Sequence, residues 1–134
     1  MPKKMIGVDT NVVVRLLTRD DESQYQTALS LFDGNQIFIP NTVILELEWV
    51  LRFAYGFKPA QIADALEKLA GLEQVKIDRP DDLSFALQGL RNNMDFADAL
   101  HLAISATTTQ QFATFDQKLT RNALHTSCQV KLLD

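Results

Sequence analysis

No apolar run in this sequence approaches the roughly 18 residues that a membrane-crossing helix needs, so no membrane partner is expected. Cysteine is almost absent: Cys128 is the only one in 134 residues. It cannot form an internal disulfide, and a reducing, cytoplasmic setting is expected. The start, MPKKMIGVDT, turns polar too early to read as a secretion signal. Basic charge is scarce as well. Thirteen Lys and Arg stand against 17 Asp and Glu, for a net charge of -4. That balance argues against a protein that holds nucleic acid on a broad basic face by counterion release. It leaves room for a nuclease whose own carboxylates carry the excess charge and are offset by bound cations.

What is present is ordinary globular material, 46% hydrophobic and 22% charged, with no repeat, low-complexity tract or linker. The length suits one domain spanning residues 1–134, large enough to bury most of its unfolded surface. Met5 to Val8 reads as a buried strand leading through Asp9-Thr10-Asn11 into a helix. Asp21-Glu22-Ser23-Gln24 has the spacing of a capping box at the start of the next helix. Gln36 to Ile39 is a second strand, and Asn41 or Thr42 is positioned to cap an apolar helix reaching Phe53. Pro59 suits the first turn of a helix that ends before Gly71. Val75 to Ile77 is a strand, and helices follow from Pro80 and over Phe96 to Ala106. Phe112 to Phe115 is a strand, Asp116 to Leu124 a helix, and Gln129 to Leu132 a final strand. Strands alternating with helices predict an α/β fold built on a mainly parallel sheet.

Such sheets bind ligands beyond the carboxyl ends of their strands. Asp9 and Asp116 each follow a strand there, although each also suits a plain helix cap. In the helix Val43 to Phe53, Glu48 lies four residues before Arg52 and reads as a solvated, paired charge. Glu46 has Thr42, Val43, Trp49 and Val50 as helical neighbours and no cation among them. A carboxylate on so apolar a surface must stay protonated, find a partner or bind a cation. Asp95, Asp98, His101 and Ser105 form one polar stripe on an otherwise apolar helix, with Asp95 available as its cap. His101 reads as structural or exposed, because hard cations prefer oxygen ligands.

At these residues the chain resembles the PIN-domain family. Asp9-Thr10-Asn11-Val12, the Glu46 helix, Asp98-Ala99-Leu100 and Thr114-Phe115-Asp116 match its acidic motifs in order. The sequence is similar to the VapC toxins of bacterial toxin–antitoxin pairs. The resemblance implies a three-layer α/β/α sandwich around a central sheet and a Mg²⁺- or Mn²⁺-dependent endoribonuclease. It further implies a VapB-like antitoxin partner and a homodimer. Asp9, Glu46, Asp98 and Asp116 carry over as catalytic metal ligands, with Asn11, Thr114 and Asp95 in support.

Two carboxylates about 5 Å apart at an effective dielectric of about 20 repel by about 3 kcal/mol, so four gathered acids need cations. One or two Mg²⁺ ions would activate water and polarise the scissile phosphate, leaving a 5′ phosphate and a 3′ hydroxyl. Arg15, Arg19, Lys118 and Arg121 are the candidate RNA contacts. Two rival readings remain: a phosphatase or receiver-like domain phosphorylated on Asp9, and a catalytically silent module whose acidic groove grips a basic peptide.

Overall fold

The computed structural model describes residues 4–134, which divide into two compact units, residues 4–79 and 80–134. The first unit runs β1 (Met5–Gly7), α1 (Thr10–Thr18), α2 (Glu22–Gly34), β2 (Gln36–Ile39), α3 (Asn41–Phe53), α4 (Pro59–Ala70) and β3 (Val75–Ile77). The second contains α5 (Pro80–Arg91), α6 (Phe96–Ala106), β4 (Gln111–Thr114), α7 (Gln117–Asn122) and β5 (Gln129–Leu132). All strand pairs formed by these elements are parallel, as the alternation of strands and helices predicts. They fall into a three-stranded sheet, β1-β2-β3, in the first unit and a two-stranded sheet, β4-β5, in the second.

In the first unit β2 is the middle strand, with Ile37 and Ile39 fully buried. Its register places Ile6 opposite Ile37, and Ile37 opposite Val75. β1 lies at the edge and is less covered than its apolar sequence suggests, with Met5 54% exposed. Parallel pairing requires a crossover between consecutive strands. Here α1 and α2 supply the first crossover, and α3 and α4 the second. The Val8 N–H still donates to the Phe38 carbonyl at 3.3 Å, so the chain stays extended until Asp9.

The helix starts follow local chemistry. Asp21 caps α2 by accepting from the Gln24 N–H at 3.0 Å, but Gln24 does not close the box, because its side chain accepts from Arg15 instead. Pro59 occupies the first turn of α4, as expected. The start of α3 differs from expectation. Its N-cap is Pro40, whose carbonyl already accepts from the Val43 and Ile44 N–H groups, so neither Asn41 nor Thr42 is the cap.

A second difference concerns Glu48, which is 1% exposed rather than solvated. It lies on the same stripe as Ile44, Leu47 and Leu51, the face of α3 that the fold buries. Its pairing with Arg52 is as predicted from the four-residue spacing, with two contacts at 3.0 and 3.1 Å.

In the second unit α5 packs against α6 through a close approach at Gly89. A Cβ built there meets the Ala99 Cβ at 2.8 Å and the Met94 sulfur at 3.2 Å. Phe96, Ala99 and Leu102 are fully buried on the α6 side. Beyond α6, β4 pairs with β5 over its whole length, Gln111 opposite Gln129 through Thr114 opposite Leu132. On an open helix surface, Gly→Ala stabilises by about 1 kcal/mol through helix propensity. At Gly89 the overpacking, typically about 1–3 kcal/mol, outweighs that gain. Gly89→Ala is expected to lower the urea midpoint, and adding Ala99→Gly to restore part of it. A more stable single variant would contradict the close packing.

Candidate metal and nucleic-acid site

In the first unit, the residue capping α1 after β1 and the second turn of α3 present the acids. Asp9 is the N-cap of α1, and its Oδ1 accepts from the Thr10 N–H at 2.8 Å. Oδ2 has no hydrogen-bond partner among the described residues, so the cap uses only one of the two oxygens. Thr10 is 5% exposed, and its hydroxyl donates to Glu46 Oε1. Glu46 itself is exposed and has no ion pair among the described residues. Glu46 is exposed beside its apolar helical neighbours, Trp49 among them, and Glu48, expected in solvent, is the buried one of the two. Glu46 nonetheless finds a neutral hydroxyl and no cation, which leaves its charge uncompensated. Asp9, Thr10, Asn11, Arg15, Glu46 and Tyr55 all line one pocket of about 360 Å³.

The second unit gathers Asp95, Asp98 and Asp116. Asp95 caps α6, accepting from the Asp98 N–H at 3.2 Å. Asp116 caps α7, accepting from the Leu119 N–H at 3.0 Å through Oδ1, while its own N–H donates to the Thr114 hydroxyl at 3.0 Å. Thr114 therefore fixes the turn that aims Asp116. Asp98 is half-buried in the first turn of α6. Burial first, then the nearby Asp95 and Asp116 carboxylates, pushes its carboxyl above the ordinary range, opposed by His101. His101 is exposed.

The four basic candidates separate. Arg15 lines the Asp9–Glu46 pocket. Arg19 turns away to Glu22, with two contacts at 3.0 Å, and covers the Tyr25 ring at 4.3 Å. Lys118 and Arg121 lie exposed on α7. Sequence reading did not single out Thr10 or Tyr55. Thr10 was legible only as a residue inside the Asp9 motif, and Tyr55 carried no local signal because it reaches the pocket from beyond the end of α3.

The PIN-domain profile matches residues 6–124. The chain belongs to the PIN-domain family. A solved chain from the VapBC2 structure of Rickettsia felis, bound to a DNA fragment from its promoter, is similar at 16% identity. The similarity covers 98% of this PIN domain and 99% of that chain, with a TM-score of 0.38. No curated protein matches. PIN domains are generally nucleases, and those nucleases generally use divalent metals.

The donor set of this PIN domain fits a hard cation, since it consists of carboxylate and hydroxyl oxygens. Among the described residues no three His, Cys, Asp or Glu side chains form a closed cage. Mg²⁺ does not require one, because it keeps several waters and takes one or two carboxylates together with substrate phosphate. Asp9 Oδ2 and Glu46 Oε2 are the open oxygens on the pocket wall.

The raised Asp98 carboxyl gives a pH signature. The native state holds that proton more tightly than the unfolded chain does. Its contribution to stability is complete below the ordinary value of 3.8 and is lost as the pH rises through the higher native value. Asp98→Asn removes that loss. In cation-free buffer its melting temperature should gain on the wild type as the pH rises from 3 to 7, by a few degrees. A constant difference between the two proteins would contradict the shift.

Proposed function

We propose that this PIN domain, acting as one nuclease domain over residues 1–134, is a Mg²⁺- or Mn²⁺-dependent endoribonuclease. Asp9, Glu46, Asp98 and Asp116 are its catalytic metal ligands, supported by Asn11, Thr114 and Asp95. The observation that carries this reading is the Asp9–Glu46 pocket. Two carboxylates line it, each with one oxygen unused, and an arginine stands beside them. A bound divalent cation supplies charge neutralisation and Lewis acidity toward a phosphodiester.

The protein's own residues do the positioning. Asp9 is set by the cap geometry of α1, and Thr10 holds Glu46 from below. In the other unit, Thr114 orients Asp116 through its backbone N–H. Water then attacks the scissile phosphate, and the products carry a 5′ phosphate and a 3′ hydroxyl. By its resemblance to the VapC toxins, the protein is the toxin of a type II toxin–antitoxin pair. It works in the cytoplasm as a homodimer, and a VapB-like antitoxin restrains it. The acidic pocket suits an Arg or Lys side chain of that antitoxin.

The test is cleavage of single-stranded RNA by the purified chain with Mg²⁺ or Mn²⁺, followed by mapping of the ends. Asp9→Asn keeps the helix cap, because Asn caps as well as Asp. It is expected to fold and to lose more than about a hundredfold in rate, since loss of even an outer-shell partner costs roughly 10- to 100-fold. Ends bearing a 2′,3′-cyclic phosphate, or equal cleavage by Asp9→Asn, would refute the mechanism.

A further inference from the structure

Arg15 lies one turn after Asn11 on α1, and both side chains line two separate cavities. One is the pocket that holds Asp9 and Glu46; the other is a groove of about 570 Å³ along α1 and α2. The groove is walled by uncharged residues such as Thr27, Ser30 and Leu31, and among the described residues no carboxylate lines it. Asn11 and Arg15 therefore form a saddle between an acidic pocket and a neutral groove.

The guanidinium on that saddle is anchored on two of its three nitrogens. Nε donates to Gln24 Oε1 at 2.6 Å, and Nη1 donates to Asp20 Oδ1 at 2.8 Å and toward the Tyr55 hydroxyl at 3.4 Å. Asp20 is itself fixed, by the Tyr55 hydroxyl at 2.6 Å and the Thr18 hydroxyl at 2.9 Å. Tyr55 and Thr18, with Arg15, hold its carboxyl down at about 2, so it stays charged across the neutral range. Nη2 has no partner among the described residues, which leaves two N–H donors on a side chain whose rotamer is already set. A long side chain immobilised before binding loses less entropy on binding, and the arginine fork matches the oxygens of a phosphate.

We propose that Arg15 holds, through Nη2, the RNA phosphate next to the one at the Asp9–Glu46 pocket, and that the strand continues from there into the groove along α1 and α2. Gln24, Asp20 and Tyr55 are positioning residues that act through Arg15. The proposal deepens the ribonuclease reading and rests on it for the identity of the strand. Single-strand sites combine cations that track the backbone with side chains against which the bases pack, most strongly where these are aromatic. Here the saddle supplies the cation, and Val12, Ala28 and Leu31 of the groove supply aliphatic surface rather than stacking rings.

The experiment measures binding of a labelled single-stranded oligoribonucleotide and of a dinucleotide by anisotropy, in an Asp9→Asn background that blocks cleavage and lowers the negative charge of the pocket. Arg15→Gln should weaken the oligomer about tenfold for any sequence. It should also flatten the dependence of log K on log salt by up to about 0.7. Arg15→Lys should not restore binding, because a point charge cannot replace the fork. Asp20→Asn, which frees Arg15 without removing it, should weaken binding with the salt slope unchanged. Thr27→Trp, at an exposed position on the groove wall, should weaken the oligomer and spare the dinucleotide.

Oligomer affinity within twofold of the parent for both Arg15→Gln and Thr27→Trp would overturn the proposal. So would groove occupation by a peptide that does not compete with RNA. The two readings fail separately. A wild type that binds RNA through Arg15 yet cleaves none keeps this inference and removes the nuclease. Cleavage with KM unchanged by Arg15→Gln and Thr27→Trp keeps the nuclease and removes the inference.

Discussion

Parallel pairing is the constraint on which the rest of this structure depends. When every strand of a sheet runs the same way, each is entered from one edge and left from the other, and the connecting chain must cross back as helix. Strand exits and helix starts then collect on one edge of each sheet. In the first unit β1 leaves into Asp9 and α1, and β2 leaves through Pro40 into α3, which carries Glu46. In the second unit β4 leaves through Phe115 into Asp116 and α7. Asp9 and Asp116 occupy helix caps, where backbone N–H groups are also unpaired, and the same topology supplies both; Glu46 lies further along, in the second turn of α3.

That coincidence removes the opposition between cap and ligand. Asp9 and Asp116 are both helix caps, and each does so through Oδ1 alone. A cap contributes about 1 kcal/mol and here engages one carboxylate oxygen, with no hydrogen bond to the other among the described residues. Capping and the proposed cation ligation are therefore compatible in one carboxylate. Thr10 extends the arrangement: its buried hydroxyl joins the start of α1 to Glu46 on α3, so two distant segments present oxygen to the same pocket. Buried hydroxyls need a partner, and here the partner is a carboxylate.

The sequence made the fold class legible because strand and helix periods alternate cleanly and turn residues such as Gly34, Pro59 and Gly71 stand between them. The resemblance to PIN domains rested on four short acidic motifs, and the family match over residues 6–124 covers all of them. Burial was less legible. Glu46 and Glu48 lie two residues apart on one helix, and the four-residue spacing from Glu48 to Arg52 fixed the ion pair but not which face of α3 the fold buries. Local spacing determines who pairs; tertiary packing determines who is buried. The anchoring of Arg15 was hidden for the same reason. Gln24 is nine residues away and Tyr55 is 40, so no periodic signal connects them.

The most direct test of a cation site built on Asp9 and Glu46 is a calorimetric titration of the purified chain with Mn²⁺, free of RNA. Wild type should bind, Glu46→Gln should bind at least about tenfold more weakly, and Asp9→Asn should lose binding, each with an unchanged fold by circular dichroism. Equal Mn²⁺ affinity in all three proteins would contradict the assignment of these two carboxylates as ligands.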